Sequence, residues 1–316
     1  MARGDGPPDI SRLAREVEDA INAVVRGRGE VVRLTLIALL SGGHLLIEDV
    51  PGVGKTLLAK SLATAVGGKF SRVQATPDLL PSDITGSSIY QPVDGIWEFH
   101  PGPVFANVVI VDEVNRATPR TQAAVLEAME ERQVTVDGVS RALPEPFFLI
   151  ATQNPREHAG TFALPDGQLD RFALTTSMGY PAPDDEADVL LGRGGATALA
   201  EVTQVITADR LADAIAGVRR LHVERAIADY VVALVGETRR HPLIALGASP
   251  RAATALLHAA QARAAILGRG HVVPDDVQSL AVAVLAHRLV LRDGAGVDAA
   301  AEVVDDVIGR AAVPRQ

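Results

Sequence analysis

The sequence predicts an α/β fold in which a parallel sheet with two inserted β-hairpins precedes an all-helical domain. Short apolar runs alternate with helical patterns as far as Tyr180, which is typical of a parallel sheet covered by helices. An Asp-Gly pair lies between strand-like runs at Asp94 and again at Asp137, and this is the signal of a tight hairpin. From Pro181 onward helical patterns replace the strand-like runs, so a second domain is predicted there.

The predicted sheet is organised around residues 44–63, HLLIEDVPGVGKTLLAKSLA. An apolar run predicts a buried strand, a glycine-containing loop follows, and helical spacing begins at Thr56. The N–H groups of such a helix start converge on one point, where the helix dipole favours an anion. Lys55 adds a cation for outer phosphates, and the Thr56 hydroxyl can ligate Mg²⁺. We therefore predict an ATP-binding segment that comprises Asp49, Val50, Pro51, Gly52, Val53, Gly54, Lys55, Thr56 and Leu57.

Asp49 stands where phosphate loops of the pattern G-x-x-x-x-G-K-[ST] begin with glycine. Aspartate tolerates unusual backbone angles better than most residues, so the turn is expected to survive. The alternative is a glycine-rich turn that holds no phosphate.

A second buried strand, predicted at residues 108–111, ends in the carboxylates Asp112 and Glu113. In open α/β sheets, ligands collect at the carboxyl ends of the strands, which places this pair beside the phosphate loop. Asp112 is predicted to hold Mg²⁺, and Glu113 is predicted to orient or deprotonate the attacking water. The alternative is an ordinary acidic pair at a strand end.

A third predicted strand, residues 147–151, leads to Asn154 at the same edge of the sheet. An amide there can hold the attacking water or the γ-phosphate, although Asn before Pro155 is also a common turn residue. Arg171 follows in the run LDRF. It is either a surface arginine with an intramolecular ion pair or a finger supplied to a neighbouring subunit's γ-phosphate.

The C-terminal part is predicted to be helical, and residues 180–185 are predicted to link it to the α/β part. Arg251 lies at a predicted helix start, where a cation is unfavourable for the dipole, so it either serves another anion or is a plain surface arginine. We predict a disordered leader at residues 1–9 and domains at residues 10–180 and 181–316. The predicted helices cover residues 186–191, 208–218, 224–239, 250–267, 274–291 and 297–308.

Composition narrows the class of protein. The 316 residues are 47% hydrophobic and 22% charged, as in a soluble globular protein. The net charge of −9 disfavours a sequence-independent grip on nucleic acid, and the absence of cysteine excludes disulfides and thiolate metal sites. No apolar run reaches the length of a membrane span and the N-terminus has no secretory pattern, so we expect a cytoplasmic protein.

The motifs EDVPGVGKT, IVDEVNRA, LEAMEERQVTVDG, ATQNP, ALPDGQLDRF and GASPRAA occur in this order, and together they resemble the MoxR family of AAA+ ATPases. The resemblance implies a Walker A motif at Lys55 and Thr56 and a Walker B motif at Asp112 and Glu113. It also implies sensor 1 at Asn154, an arginine finger at Arg171 and sensor 2 at Arg251. Two departures are Arg156 and the loop VRGRGE at residues 25–30, which is either an adenine pocket or a helix connector.

The resemblance further implies a homo-hexameric ring that hydrolyses ATP with Mg²⁺ between the core and a helical lid. Such a ring would remodel or metallate client complexes, commonly with a partner that carries a von Willebrand factor A domain. A chelatase motor subunit and a nucleotide-gated scaffold without turnover are the alternatives. The two hairpins are expected to face the client with polar Asp-Gly tips.

Overall fold

A computed structural model describes residues 9–154 and 160–314 of the chain. Residues 1–8 of the predicted leader and the departure at Arg156 lie outside the described residues.

The centre of the protein is a five-stranded parallel sheet made of β1 (Leu45–Glu48), β2 (Phe70–Gln74), β5 (Val108–Asp112), β8 (Phe148–Gln153) and β9 (Leu174–Thr176). The strand order is β2-β5-β8-β1-β9. Because its strands run in one direction, they all begin at one edge of the sheet and end at the other. In register, Leu45 pairs with Ile150 on one side and with Leu174 on the other. The predicted parallel sheet is therefore confirmed.

Apolar side chains cover both faces of the central strands, which explains why β1 and β5 are near-continuous apolar runs. Leu45 and Ile47 face one core, and Leu46 between them faces the other, as the period of two requires. The first core contains the helices α1 (Ile10–Asn22), α2 (Gly29–Leu40) and α3 (Lys55–Ala65) together with the C-terminal helices. The second core contains α5 (Pro119–Glu131), which begins after the Thr118 cap.

Both predicted hairpins are present. The first joins β3 (Gly86–Gln91) to β4 (Ile96–Pro101), after the short helix α4 (Pro81–Thr85). The second joins β6 (Gln133–Val136) to β7 (Val139–Ala142). In its turn both Asp137 and Gly138 have positive φ, +53° and +73°, which is the conformation that Asp-Gly favours in two-residue hairpins.

The Asp-Gly pairs at the tips of both hairpins are exposed, as expected. The Asp137 carboxylate accepts a hydrogen bond of 2.5 Å from the Ser88 hydroxyl of the first hairpin, so the second turn is docked on the first hairpin. The first hairpin exposes apolar side chains in addition to its Asp-Gly pair: Val93 is 95% exposed and Trp97 is 70% exposed. An Asp-Gly pair fixes the turn, but it does not decide what the flanking side chains contact.

The C-terminal part is helical apart from a two-stranded ribbon, β10 (Ile244–Leu246) with β11 (Val290–Leu291). The helix predicted to run to residue 291 ends at Leu285, because Val290 and Leu291 pair with β10, far away in sequence. No helix among the described residues is long and apolar enough to cross a membrane. The remaining helices are α6 (Asp166–Leu169), α7 (Pro183–Leu190), α8 (Gly195–Leu199), α9 (Ala208–Arg219), α10 (Arg225–Arg240), α11 (Pro250–Ile266), α12 (Pro274–Leu285) and α13 (Val297–Arg310).

His44, directly before β1, is a buried polar residue that fixes the start of the sheet. The Leu149 N–H donates to His44 Nδ1 over 3.0 Å, so the ring must carry its proton on Nε2, which lies 3.0 Å from the Met129 carbonyl oxygen. Burial lowers the pKa of His44 to about 4, and the charge of Arg132 acts in the same direction. His44 is therefore neutral in the folded protein at neutral pH.

We expect the free energy of unfolding to fall as the pH drops from about 6.5 to about 4, because the unfolded chain then binds a proton that folded His44 does not. Each unit of pKa shift corresponds to about 1.4 kcal/mol. Urea unfolding of wild type and of His44→Gln at pH 7, 6, 5 and 4.5 measures this. The variant should lose less stability across the window than the wild type does, and equal losses would remove His44 as a cause.

Candidate active site

The loop between β1 and α3 has the backbone of an anion-binding turn. Gly52 and Gly54 have φ of +86° and +101°, a region that L side chains rarely adopt. A Cβ on Gly52 would meet nothing within 4 Å, so it is the backbone angle that requires glycine there. Because α3 begins at Lys55, its unpaired N–H groups face this turn.

Lys55 points along this loop and its side chain is largely buried. Its Nζ donates to the Asp49 carbonyl oxygen over 2.8 Å. Burial lowers the pKa of Lys55, and the charges of Asp49, Asp112 and Glu113 oppose that shift. These contacts hold the ammonium at the mouth of a pocket of about 290 Å³ at the carboxyl edge of the sheet. The pocket is lined by Pro51, Gly52, Gly54, Lys55, Thr56, Leu57, Arg72, Gln74, Asp112, Glu113 and Thr152.

The Asp49 side chain does not line this pocket. Its carboxylate accepts hydrogen bonds from the Gly179 N–H (2.6 Å), the Ser177 hydroxyl (3.0 Å) and the Val50 N–H (2.7 Å). Burial opposes its negative charge, but these donors outweigh burial and lower the pKa of Asp49. Asp49 therefore fastens the loop to the segment after β9, and it does so without a positive φ, which explains why glycine is not needed at this position.

The loop at residues 25–30 is joined to the same segment. Arg28 donates through Nη2 to the Gly179 carbonyl oxygen over 2.7 Å, while the Gly179 N–H donates to Asp49. The loop VRGRGE is thus linked to Asp49 of the phosphate loop by two hydrogen bonds, both of which involve the backbone of Gly179.

Asp112, at the end of β5, lies opposite the Thr56 hydroxyl. Asp112 Oδ2 is 3.5 Å from Thr56 Oγ1 and 2.7 Å from Arg72 Nε, and the Thr152 hydroxyl donates to Asp112 Oδ1 over 3.4 Å. A hydroxyl and a carboxylate side by side are the hard oxygen ligands that Mg²⁺ takes alongside water and phosphate oxygens. The residues present therefore fit a Mg²⁺ ion.

Glu113 has a left-handed backbone, with φ of +57° and ψ of +48°. This conformation is unfavourable for a non-glycine residue and clusters at functional sites. Its carboxylate accepts from Gln74 Nε2 over 3.1 Å and pairs with Arg116 Nε at 3.1 Å, and its N–H donates to the Thr152 hydroxyl over 2.9 Å. These bonds hold the carboxylate at the pocket, where it could accept a proton from a water.

Three residues that line the pocket were not predicted from the sequence: Arg72, Gln74 and Thr152. Arg72 and Gln74 alternate along β2, and Gln74 pairs in register with Asp112. Only the strand order, with β2 beside β5, reveals that these side chains belong to the site. The sequence signal for them is the alternation of polar Arg72 and Gln74 with apolar Val73 along this short strand, which places both polar side chains on one face of the sheet.

Asn154 directly follows β8 at the same edge of the sheet, but it is not among the described residues that line the pocket.

Arg171 and Arg251 lie at the opposite edge of the sheet. Both arginines form an ion pair with Glu130: Arg251 Nη2 lies 2.5 Å and Arg171 Nε lies 3.0 Å from its carboxylate oxygens. The N–H of Arg171 Nε is not aligned for a hydrogen bond to that oxygen. With Arg132 they line a pocket of about 220 Å³ that also contains Gly43, the residue before His44. Since β1 separates Gly43 from the phosphate loop at roughly 3.3 Å per residue, the two pockets are well over 10 Å apart. Neither arginine is brought to the phosphate loop of its own subunit.

Comparisons with known proteins agree with this geometry. The sequence model described as the ATPase family associated with various cellular activities (AAA) matches residues 44–174, and that of the AAA lid domain matches residues 236–307. A crystal structure of a candidate ATPase from Cytophaga hutchinsonii superposes with a TM-score of 0.88 at 32% identity, covering 97% of this chain and 96% of that one. A parallel sheet with this loop and these matches defines an AAA+ ATPase, which binds nucleotide and hydrolyses ATP.

Two relatives that match nearly the whole of this chain narrow the class of ATPase. The chain is 44% identical to the uncharacterized protein YeaC of Bacillus subtilis, over 98% of this chain and 97% of that protein. It is 39% identical to Chaperone MoxR1 of Mycobacterium tuberculosis, over 97% of this chain and 84% of that protein. The chain belongs to the MoxR family of AAA+ ATPases, as the resemblance of its motifs implied.

Proposed function

We propose that this protein is a cytoplasmic ATP-driven chaperone that remodels partner protein complexes or assists their assembly and metal-cofactor insertion. The observation that carries the proposal is the convergence of Lys55, Thr56, Asp112 and Glu113 on one pocket. The similarity to Chaperone MoxR1 supports the chaperone role. Following the resemblance of the motifs, the partner that we propose carries a von Willebrand factor A domain.

In this proposal the segment from Asp49 to Leu57 binds ATP. Lys55 and the first N–H groups of α3 hold the outer phosphates, and Thr56 and Asp112 hold Mg²⁺. The ion, when bound, neutralises charge on the β- and γ-phosphates. Glu113 accepts the proton of the attacking water, and Asn154 at the same sheet edge helps to position that water.

The two arginines at the other edge complete the site of a neighbouring subunit. Arg132, Arg171 and Arg251 give this second pocket an excess of positive charge over Glu130, so it attracts an anion such as the γ-phosphate of the next subunit. Because each subunit carries the two halves of the site at opposite ends of its strands, subunits must associate head to tail to complete a site. A closed ring completes every site, and we propose a homo-hexamer.

The client-facing part that we propose is the tip of the first hairpin. Tyr90 and Trp97 form a ring pair with centroids 5.4 Å apart, and they stay 47% and 70% exposed beside Val93 and Ile96. Exposed aromatic clusters of this kind mark interaction sites. Because Ser88 bonds to Asp137, a displacement of α5 and β6 would reach this tip through the second hairpin.

The double variant Tyr90→Ser/Trp97→Ser tests the client role. We expect its basal ATPase rate to stay within about twofold of wild type, since exposed substitutions away from the site change stability little. Introduced into a Glu113→Gln background, the change should abolish the ATP-dependent co-purification of client proteins from the native host, measured by quantitative mass spectrometry.

A matched control is Val232→Ser, which removes an equally exposed apolar side chain from α10 and should leave the captured set unchanged. Capture of the same proteins by rings with and without the aromatic pair would contradict a client role for this hairpin.

A further inference from the structure

We propose that Asp170 and Arg288 form a positioning unit that locks the arginines presented to the neighbouring subunit to the C-terminal helices of their own subunit. The inference rests on the proposed function, in which Arg171 acts across the subunit interface. It assigns a role to an ion pair between buried Arg288 and partly buried Asp170, which lies away from the phosphate loop.

Arg288 is a nearly fully buried arginine at the end of the 3₁₀ turn Ala286–Arg288, which follows α12. Only 2% of its side chain is exposed, and its Nε donates to Asp170 Oδ1 over 2.9 Å. Its Nη2 donates to the Asp170 carbonyl oxygen (3.2 Å) and to the Phe172 carbonyl oxygen, and its Nη1 donates to the Ala173 carbonyl oxygen (3.3 Å). The guanidinium therefore grips the backbone on both sides of Arg171.

The carboxylate of Asp170 extends this grip to a third segment. The Ser249 hydroxyl lies 3.0 and 2.9 Å from the two Asp170 carboxylate oxygens, and it also accepts from the Ala252 N–H as the N-cap of α11. Arg251 follows Ser249 by two positions in this first helical turn. One carboxylate thus joins the segment of Arg171, the helix start that carries Arg251, and the turn that follows α12.

These anchors leave Arg171 little independent movement. It is flanked by Asp170, which is held as described, and by Phe172, which is fully buried in the second core. His287 adds a further contact, since its Nε2 lies 3.2 Å from the Phe172 carbonyl oxygen. A displacement of α11 and α12 must therefore carry Arg171 and Arg251 with it.

The chemistry requires arginine at residue 288. Its fork of five N–H donors can serve a carboxylate and several carbonyl oxygens at once, whereas lysine offers three donors from a single point. The consequence for the ring is that the position of one subunit's C-terminal helices sets how its arginines meet the next subunit's γ-phosphate.

A buried ion pair elsewhere in the same helices provides the contrast with a purely structural role. Asp276, which is fully buried, accepts from Arg263 over 2.6 Å and from Arg269 over 2.5 Å. It caps the start of α12, and its hydrogen-bond partners among the described residues are Arg263, Arg269 and Val273 rather than the Arg171 segment. Asp276→Asn is therefore the matched control for Asp170→Asn.

The experiment compares the full-length variants Asp170→Asn and Arg288→Lys. We expect ATP affinity and KM to remain as in wild type, while kcat falls about ten- to hundredfold, because misplacement of a catalytic group by about 1 Å has an effect of this size. Mixing Asp170→Asn with Glu113→Gln subunits should restore activity, since the latter supply correctly held arginines to intact pockets. Asp276→Asn should lower the thermal unfolding midpoint with kcat within about twofold of wild type.

Circular dichroism and native mass spectrometry confirm folded rings before kinetics. If Asp170→Asn does not fold, Arg288→Lys, which keeps the charge, carries the same test. An unchanged kcat in a folded variant, or a loss that Glu113→Gln subunits do not restore while they do restore Arg171→Ala, overturns the positioning role alone. Failure to restore Arg171→Ala itself overturns the shared site of the proposed function.

Discussion

Glu113→Gln is expected to bind ATP with about wild-type affinity and to hydrolyse it at least about 10²-fold more slowly. The amide keeps the shape of the side chain but cannot accept the proton of the attacking water, and a general base contributes about 10²- to 10⁴-fold. The contacts of Glu113 with Gln74 and Thr152 position it for this role, and its left-handed backbone is the kind of strain that active sites retain.

Isothermal titration with ATP and a steady-state phosphate-release assay separate binding from turnover. Glu127→Gln, on an exposed position of α5, is the matched control and should turn over as wild type. Lys55→Ala differs from Glu113→Gln in that we expect ATP binding itself to be lost, because the ammonium that holds the outer phosphates is removed. Turnover at the wild-type rate in Glu113→Gln would remove Glu113 from the chemistry.

The sequence predicted those parts of the site that are encoded locally. A glycine loop between a strand and a helix, and carboxylates at the end of an apolar strand, leave signatures within a few neighbouring residues. Lys55 and Thr56 at the helix start, and Asp112 and Glu113 after β5, accordingly line the pocket that the phosphate-loop pattern predicts.

Features that depend on distant pairing could not be predicted in this way. Arg72 joins the site only because β2 lies beside β5, and the end of α12 is set by the pairing of Leu291 with Ile244. The position of Arg251 is a further example. Its helix start was visible in the sequence, but only the folded chain brings it to Glu130 at the sheet edge away from the phosphate loop.

The second large effect is expected for Arg171, which lies at the end of the sheet away from the phosphate loop. Arg171→Ala is expected to bind ATP as wild type does and to hydrolyse it about 10³-fold more slowly, because the charge that develops on the transferred phosphoryl group loses its stabiliser. Phosphate release and ATP titration on the purified protein measure the two effects. Arg193→Ala, which removes an exposed arginine paired with Asp188, is the control and should leave both unchanged.

Mixed rings decide whether Arg171 acts across the interface. Glu113→Gln and Arg171→Ala subunits are each expected to turn over slowly when alone, but in a mixed ring some interfaces would join an intact Glu113 to an intact Arg171 from the neighbour. Partial activity should therefore return on mixing and should be greatest when both subunits are abundant. Because Arg171 pairs with Glu130 at the edge away from its own phosphate loop, a contribution within one subunit has no geometric route. Absence of any recovery, with mixed rings verified by native mass spectrometry, would show that Arg171 does not serve the neighbouring site.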